Sequence, residues 1–285
     1  MTAGRGLDTE FLTLPEAVSR FVTSGDTVAL EGFTHLIPFA AGHEIIRQRL
    51  TDLTLIRMTP DLLYDQMIGC GCARKLVFSW GGNPGVGSLH RLREAVERGW
   101  PRPLEIEEHS HSAMAHAYAA GASGMPCAVF RGYLGSDLPS VNPRIKWVLC
   151  PFTGERLAAV PSLRPDVTII HAQKADRRGN VLLNGIVGVQ KEAVLAATRA
   201  VVTVEEVVDD LGTRGTNAVV LPSWTISAIA VVPGGARPSY AHGYYQRDNA
   251  FYTQWDAIAR EREAFRSWIE ENVMAPHSGP GAARP

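Results

Sequence analysis

The sequence predicts an α/β fold: an open three-layer αβα arrangement around a mostly parallel sheet. Three observations predict it. Short apolar runs alternate with segments of helical period, the rhythm of strand–helix–strand crossovers. The runs are apolar at consecutive positions, as strands buried on both faces require. The chain has 285 residues, 45% of them apolar, enough for one large core.

In order, Thr13-Leu-Pro-Glu16 is a capping box with proline in the first turn, and Leu14, Ala17, Val18, Phe21 and Val22 continue it at helical spacing. Gly25-Asp26 ends that helix, and the run TVALE at 27–31 is the first buried strand. A loop, Gly32-Phe33-Thr34-His35, leads to a helix at 38–50. The unit repeats: strand 53–58, helix 61–68, strand 75–79, a glycine loop, helix 88–98. Such units demand parallel order with right-handed crossovers. Residues 104–107 are extended, 113–120 form a helix of small residues, and 127–130 re-enter extended structure. Residues 147–151 and 156–160 flank the turn at 152–155 as a hairpin insertion. A second series follows, with strand 167–171, an apolar run at 181–183, helix 191–198, strand 200–204 and strand 229–232. Residues 248–273 read as one helix carrying Phe251, Trp255, Ile258, Phe265, Trp268 and Ile269. The expected organisation is a tail at 1–12, a single domain at 13–273 and a disordered tail at 274–285.

Composition narrows the function. The net charge is −1 with both signs spread along the chain, so no basic stripe points to nucleic acid or an anionic membrane. A small molecule is the expected ligand. No apolar run is long enough to span a bilayer, and the start, MTAGRGLDTE, lacks the apolar core of a signal peptide. The expected location is the cytoplasm. Cys70, Cys72, Cys127 and Cys150 are too few for a disulfide scaffold, and the GCGC spacing is poor for zinc.

Residues 104–139 hold the densest candidate chemistry. Glu107, Glu108, His109, Ser110 and His111 fall where a strand hands over to a helix, and Ser110 can cap that helix. Ligands of open α/β sheets bind at the carboxyl ends of strands, which would put Glu108 and Arg131 on one rim. Glu107 and Glu108 are adjacent on an extended segment, so only one can face a cleft. That carboxylate is either part of a solvated pair or a group that accepts a proton or orients a substrate. His109, His111 and His116 lack a completing ligand at recognisable spacing, so no metal is expected. The glycine loop at 81–87, with Asn83 and Gly85, can offer backbone N–H groups to an anion. It has neither the Walker order nor that of a dinucleotide fingerprint, and no G-x-S-x-G elbow occurs.

Several stretches together resemble a known family. They are SGDTVALEGFT at 24–34, NPGV at 83–86, VPSLRPDVTIIHAQ at 160–173, DRRGN at 176–180, TVEE at 203–206 and PGGARPSY at 233–240. The chain resembles the α subunit of class I coenzyme A transferases, the glutaconate CoA-transferase type, over residues 13–270. The resemblance implies an open αβα fold and a two-subunit enzyme. Coenzyme A would be a substrate, with no covalently bound cofactor, and a β subunit the partner in a heterodimer or α2β2 assembly. It also implies that the nucleophilic glutamate lies on that β subunit, forms a mixed anhydride with the acyl group and then a glutamyl-CoA thioester. Substrate contacts on this chain would come from Arg131, Ser110, His111, Asn83 and Gly85, with Glu108 the candidate catalytic group. Glutaconate-type α subunits have serine at Pro84 and glutamine at His111. Glu108 with Arg131 also resembles the α subunit of a steroid ring-cleaving hydrolase of the same family, where the matching glutamate is the base and the arginine lies in the substrate pocket. Two alternatives therefore stand beside the transferase: a CoA-thioester or carbon–carbon hydrolase using Glu108, and a non-catalytic regulatory subunit.

Overall fold

The structure, a computed structural model, describes residues 9–84, 87–212 and 215–275. After the two-residue strand β1 (Glu10–Phe11), the first half follows a strict alternation. It contains α1 (Leu14–Phe21), β2 (Thr27–Glu31), α2 (Phe39–Arg47), β3 (Leu53–Ile56), α3 (Leu62–Gly69), β4 (Ala73–Phe78), α4 (His90–Arg98), β5 (Glu105–Glu108) and α5 (His111–Ala122). Next come β6 (Cys127–Phe130), α6 (Leu138–Val141), β7 (Lys146–Leu149) and β8 (Arg156–Pro161). The second half has β9 (Val167–Asp176), β10 (Val181–Asn184), α7 (Gln190–Ala196), β11 (Arg199–Val208), β12 (Ala218–Leu221), β13 (Ala228–Val231), α8 (Asn249–Arg260) and α9 (Arg262–Ile269).

Eight strands run parallel in the order β1-β13-β11-β9-β2-β3-β4-β5, and β10 and β12 extend the sheet antiparallel from β9. The chain winds outward in both directions from the β2–β9 junction, so the loops after these two strands part there and leave a crevice. Period-two alternation decides the layers. Val28 and Leu30 of β2 join Leu53, Leu55, Leu76, Ile169 and Val201 against α1, α2, α3, α4, α8 and α9. Ala29, Ile56 and Val77 face the opposite way and pack on Met114 and Tyr118 of α5 and on Ala193 and Ala196 of α7. Among the described residues no helix is long and apolar enough to cross a membrane.

Three expectations change. Residues 10 and 11 are not tail: they pair with Ala228 and Ile229 of β13, closing the sheet edge. Residues 127–130 do not continue the central sheet. β6 pairs antiparallel with β8, and β8 with β7, in a separate sheet whose inner face packs on α5 through Ala113, Ala117, Phe130, Ala158 and Val160. Finally, residues 248–273 are not one helix. Glu261 is extended (φ −102°, ψ 137°), so α9 folds back and a π turn (Glu270–Met274) ends it. The break puts Phe265 and Trp268 on the fully buried Trp255, with centroids 6.1 and 5.0 Å away, which a straight helix could not do. The expected disordered tail lies outside the described residues from 276 onward.

Helix α5 carries both the rim and the second sheet, and its seat depends on Gly121. A Cβ there would lie 2.0 Å from the carbonyl oxygen of Leu163, a backbone atom that cannot step aside. Gly121→Ala should therefore lower stability by about 1–3 kcal/mol, the usual cost of overpacking, despite alanine's better helix propensity. Urea unfolding of the two proteins measures it, and a stabilised variant would contradict this packing.

Candidate active site

The carboxyl ends of β2 and β3 are fixed from below by a buried polar group. Glu31 accepts hydrogen bonds from the Met58 backbone N–H (3.1 Å) and the Tyr118 hydroxyl (2.8 Å). Arg57, 1% exposed, donates to Asp61 (2.8 Å) and to the Gly32 carbonyl (2.9 Å). Burial pushes the Glu31 carboxyl above its ordinary range, against the pull of Arg57 and these donors. Buried charge is tolerable only when paired and hydrogen-bonded in this way.

This base holds the 32–36 loop in a strained path. Thr34 and Leu36 have positive φ (59° and 53°), a rare state for residues with a side chain. Gly32 permits it, since a Cβ there would meet the Leu36 and His35 carbonyls at 2.8 and 2.9 Å. His35, fully buried, ties the loop to two others: Nδ1 bonds the Ile186 carbonyl (3.2 Å), and Nε2 accepts from the His242 N–H (2.9 Å). Only the neutral Nδ1–H tautomer makes both bonds. Burial accordingly pulls its pKa down to about 4.

Phe33, half-buried on this loop, meets the ring of His111 edge-on at 6.2 Å. His111 Nδ1 lies 3.1 Å from Ser79 Oγ, and that hydroxyl donates to the Met58 carbonyl at 2.7 Å. With its one proton so used, Ser79 can only accept, so His111 carries its proton on Nδ1 and presents a bare Nε2 to solvent. Ser110 caps α5 by accepting from the Ala113 N–H (3.1 Å), and its own N–H donates to the Tyr133 hydroxyl (3.1 Å).

The two glutamates divide as alternation requires. Glu107 turns inward to Lys75 Nζ (2.7 Å) and His109 Nε2 (2.9 Å). Partial burial opposes its charge, but these hydrogen bonds outweigh it and hold its pKa down at about 2. Glu108 is exposed, and among the described residues its carboxylate has neither a hydrogen bond nor an ion pair. Its carbonyl accepts from Asn142 Nδ2 at 2.7 Å, which fixes the backbone and leaves the side chain free.

The other expected residues fall elsewhere. Arg131 does not share a sheet with Glu108. Its guanidinium forks onto Glu155 through two bonds (2.8 and 2.7 Å), so the hand meant for a substrate carboxylate is already filled. Asn83 is 5% exposed and donates to the Tyr252 carbonyl (2.7 Å), anchoring the glycine loop to α8. Gly85 lies outside the described residues. His109 and His111 go to different partners, and among the described residues no group of His, Cys, Asp and Glu is arranged to hold a metal. Sequence reasoning missed Ser79 and the Phe33 loop as site elements. The signal was a glycine directly after a buried strand that ends in glutamate.

Comparison with known proteins agrees with this geometry. The family profile described as Coenzyme A transferase matches residues 11–231. The chain is 71% identical over 264 residues to the A subunit of the 3-oxoadipate CoA-transferase from Pseudomonas knackmussii, covering 93% of each. The crystal structure of glutaconate CoA-transferase from Acidaminococcus fermentans superposes with a TM-score of 0.85 at 31% identity, covering 93% of this chain and 89% of that one. The cholesterol ring-cleaving hydrolase IpdA subunit of Rhodococcus jostii is 24% identical, with 90% of each covered.

The buried neutral His35 makes stability depend on pH. Its folded pKa lies below its unfolded value near 6.5, so its contribution is complete above that value and is lost as pH falls toward 4. Stability should drop across this window, and His35→Gln should flatten the drop. Denaturant midpoints at pH 7 and pH 4.5 for both proteins check it, and parallel losses would contradict it.

Proposed function

We propose that this chain, which belongs to the coenzyme A transferase family, is the α subunit of a two-subunit enzyme moving CoA to 3-oxoadipate or a related dicarboxylic acid. Identity of 71% over nearly the whole of the matching subunit from a 3-oxoadipate CoA-transferase carries the substrate reading. We place the enzyme in the cytoplasm.

The partner β subunit supplies the glutamate nucleophile. Its carboxylate attacks the acyl-CoA carbonyl and CoA thiolate leaves. Thiolate then attacks the resulting anhydride at the glutamyl carbonyl, freeing the first acid, and the second acid repeats the sequence in reverse. This chain contributes the wall against which the acyl-CoA lies. The bare Nε2 of His111 suits a substrate N–H or O–H, such as an amide of the pantetheine arm, and repels a carboxylate. The Ser110 hydroxyl keeps its proton free to donate beside it. Asn83 positions the glycine loop, including Gly85, where it meets the partner. Arg131, occupied by Glu155, holds the second sheet's turn rather than the acyl group.

The hydrolase reading needs Glu108 as a general base that traps a water. Such bases are tuned by burial and by neighbours that fix the proton acceptor. Glu108 instead stands solvated on an edge strand with nothing beside it to orient a water. It fits a contact to substrate or partner. The regulatory reading leaves the strained 32–36 loop without a purpose.

Two outcomes follow. The purified chain should show no CoA transfer alone and gain it with its β subunit, with 3-oxoadipate preferred to glutaconate and acetate as acceptor. Turnover by the single chain would remove the half-site reading. In the complex, Glu108→Gln should keep transfer within about ten-fold, whereas loss of a general base costs about 10²- to 10⁴-fold. Separate assays of CoA release to water and of transfer to acid distinguish the two.

A further inference from the structure

A cavity of about 230 Å³ opens on the face of the sheet opposite α5, between the α2–α3 pair and the 237–248 loop, α8 and α9. Nothing in the transfer reaction uses it. Phe251 and Trp268, ring centroids 5.6 Å apart, form an aromatic wall. Gln66, fully buried at the floor, gives its Oε1 to His43 Nε2 (2.8 Å) and has no partner for its amide Nε2 among the described residues. Leaving such a donor unpaired costs about 1–3 kcal/mol, so an orphan at the bottom of a cavity marks a place for an acceptor.

The mouth supplies charge. Arg237 lies over the Tyr245 ring at 4.4 Å, and among the described residues its guanidinium has no carboxylate partner. This separates it from Arg57, Arg91 and Arg131, each of which is ion-paired. The opposing charge at the rim is Asp248, whose Oδ1 caps α8 by accepting from the Phe251 N–H at 2.9 Å. An unpaired cation, a buried amide donor and an aromatic wall together select a ligand with a negative acceptor group on a flat apolar body.

We propose that this cavity is a binding site for a small flat carboxylate, separate from the acyl-CoA rim. The ligand's ring packs along Trp268 and Phe251, and its carboxylate meets Arg237, with Gln66 as donor from below.

Calorimetric titration of the complex with its β subunit tests the proposal, with benzoate as probe. Benzoate should bind saturably. Arg237→Gln should weaken it about ten-fold or more, since a hydrogen bond to a charged group is worth about 1.5–3 kcal/mol and each 1.4 kcal/mol is ten-fold. Trp268→Leu should weaken it independently, should the arginine variant fold poorly. Cyclohexanecarboxylate, not flat, and benzyl alcohol, uncharged, should bind more weakly than benzoate. His111→Ala, on the opposite layer, should leave benzoate binding unchanged whether or not CoA transfer survives. No saturable heat, equal affinity in wild type and both cavity variants, or loss of binding in His111→Ala would each overturn the proposal.

Discussion

One buried cation, Arg57, organises the carboxyl ends of the central strands. It leaves the end of β3, reaches back to the Gly32 carbonyl at the end of β2, and pairs with Asp61 at the start of α3. It also lies over the Tyr64 ring (5.5 Å) and beside the Glu31 carboxylate. Without it two carboxylates would remain buried with no cation, an imbalance that costs several kcal/mol. The Gly32 carbonyl, aimed inward at Arg57, sets the direction in which Phe33, Thr34 and Leu36 must leave, and the positive φ angles follow. His35 then locks that path to the 186 and 242 loops. The rim is therefore rigid before any ligand arrives, the condition for placing a reacting carbonyl without reorganisation.

A rigid wall with no nucleophile is half of an active site. Every strong acid–base pair near the rim is spent on structure: Glu31 on Met58 and Tyr118, Glu107 on Lys75 and His109, and Glu205 on His171 and Tyr245. What remains free are Glu108 and the Nε2 of His111, groups that contact rather than attack. The burden of chemistry falls on a partner chain, as the two-subunit naming of the relatives suggests.

Much of the fold was legible because the strands at 27–31, 53–56, 167–171 and 200–204 are apolar on both faces, and helices of ordinary length separate them. Membership of a sheet was not legible. The run at 127–130 looks like its predecessors, and only its pairing with Ala158 and Val160, well along the chain, moves it to a second sheet. Arg131 moved with it, to a partner that local pattern could not name. The break at Glu261 has no glycine or proline to announce it and comes from the pull of Trp255 on residues beyond it. At the site, the handover at 107–111 was visible from its polar cluster. The pairing that makes Glu107 structural and leaves Glu108 free was not, since both sit in the same EIEE run and only β4, which brings Lys75, tells them apart.

The central claim is that the covalent intermediate forms on the partner and never on this chain. Incubating the two-subunit complex with acyl-CoA, reducing with sodium borohydride and mapping both chains by peptide mass spectrometry measures it directly. The predicted result is one reduced glutamate on the β subunit, with every glutamate of this chain unmodified. A reduced glutamate at position 108 of this chain, with the β subunit unmodified, would contradict it.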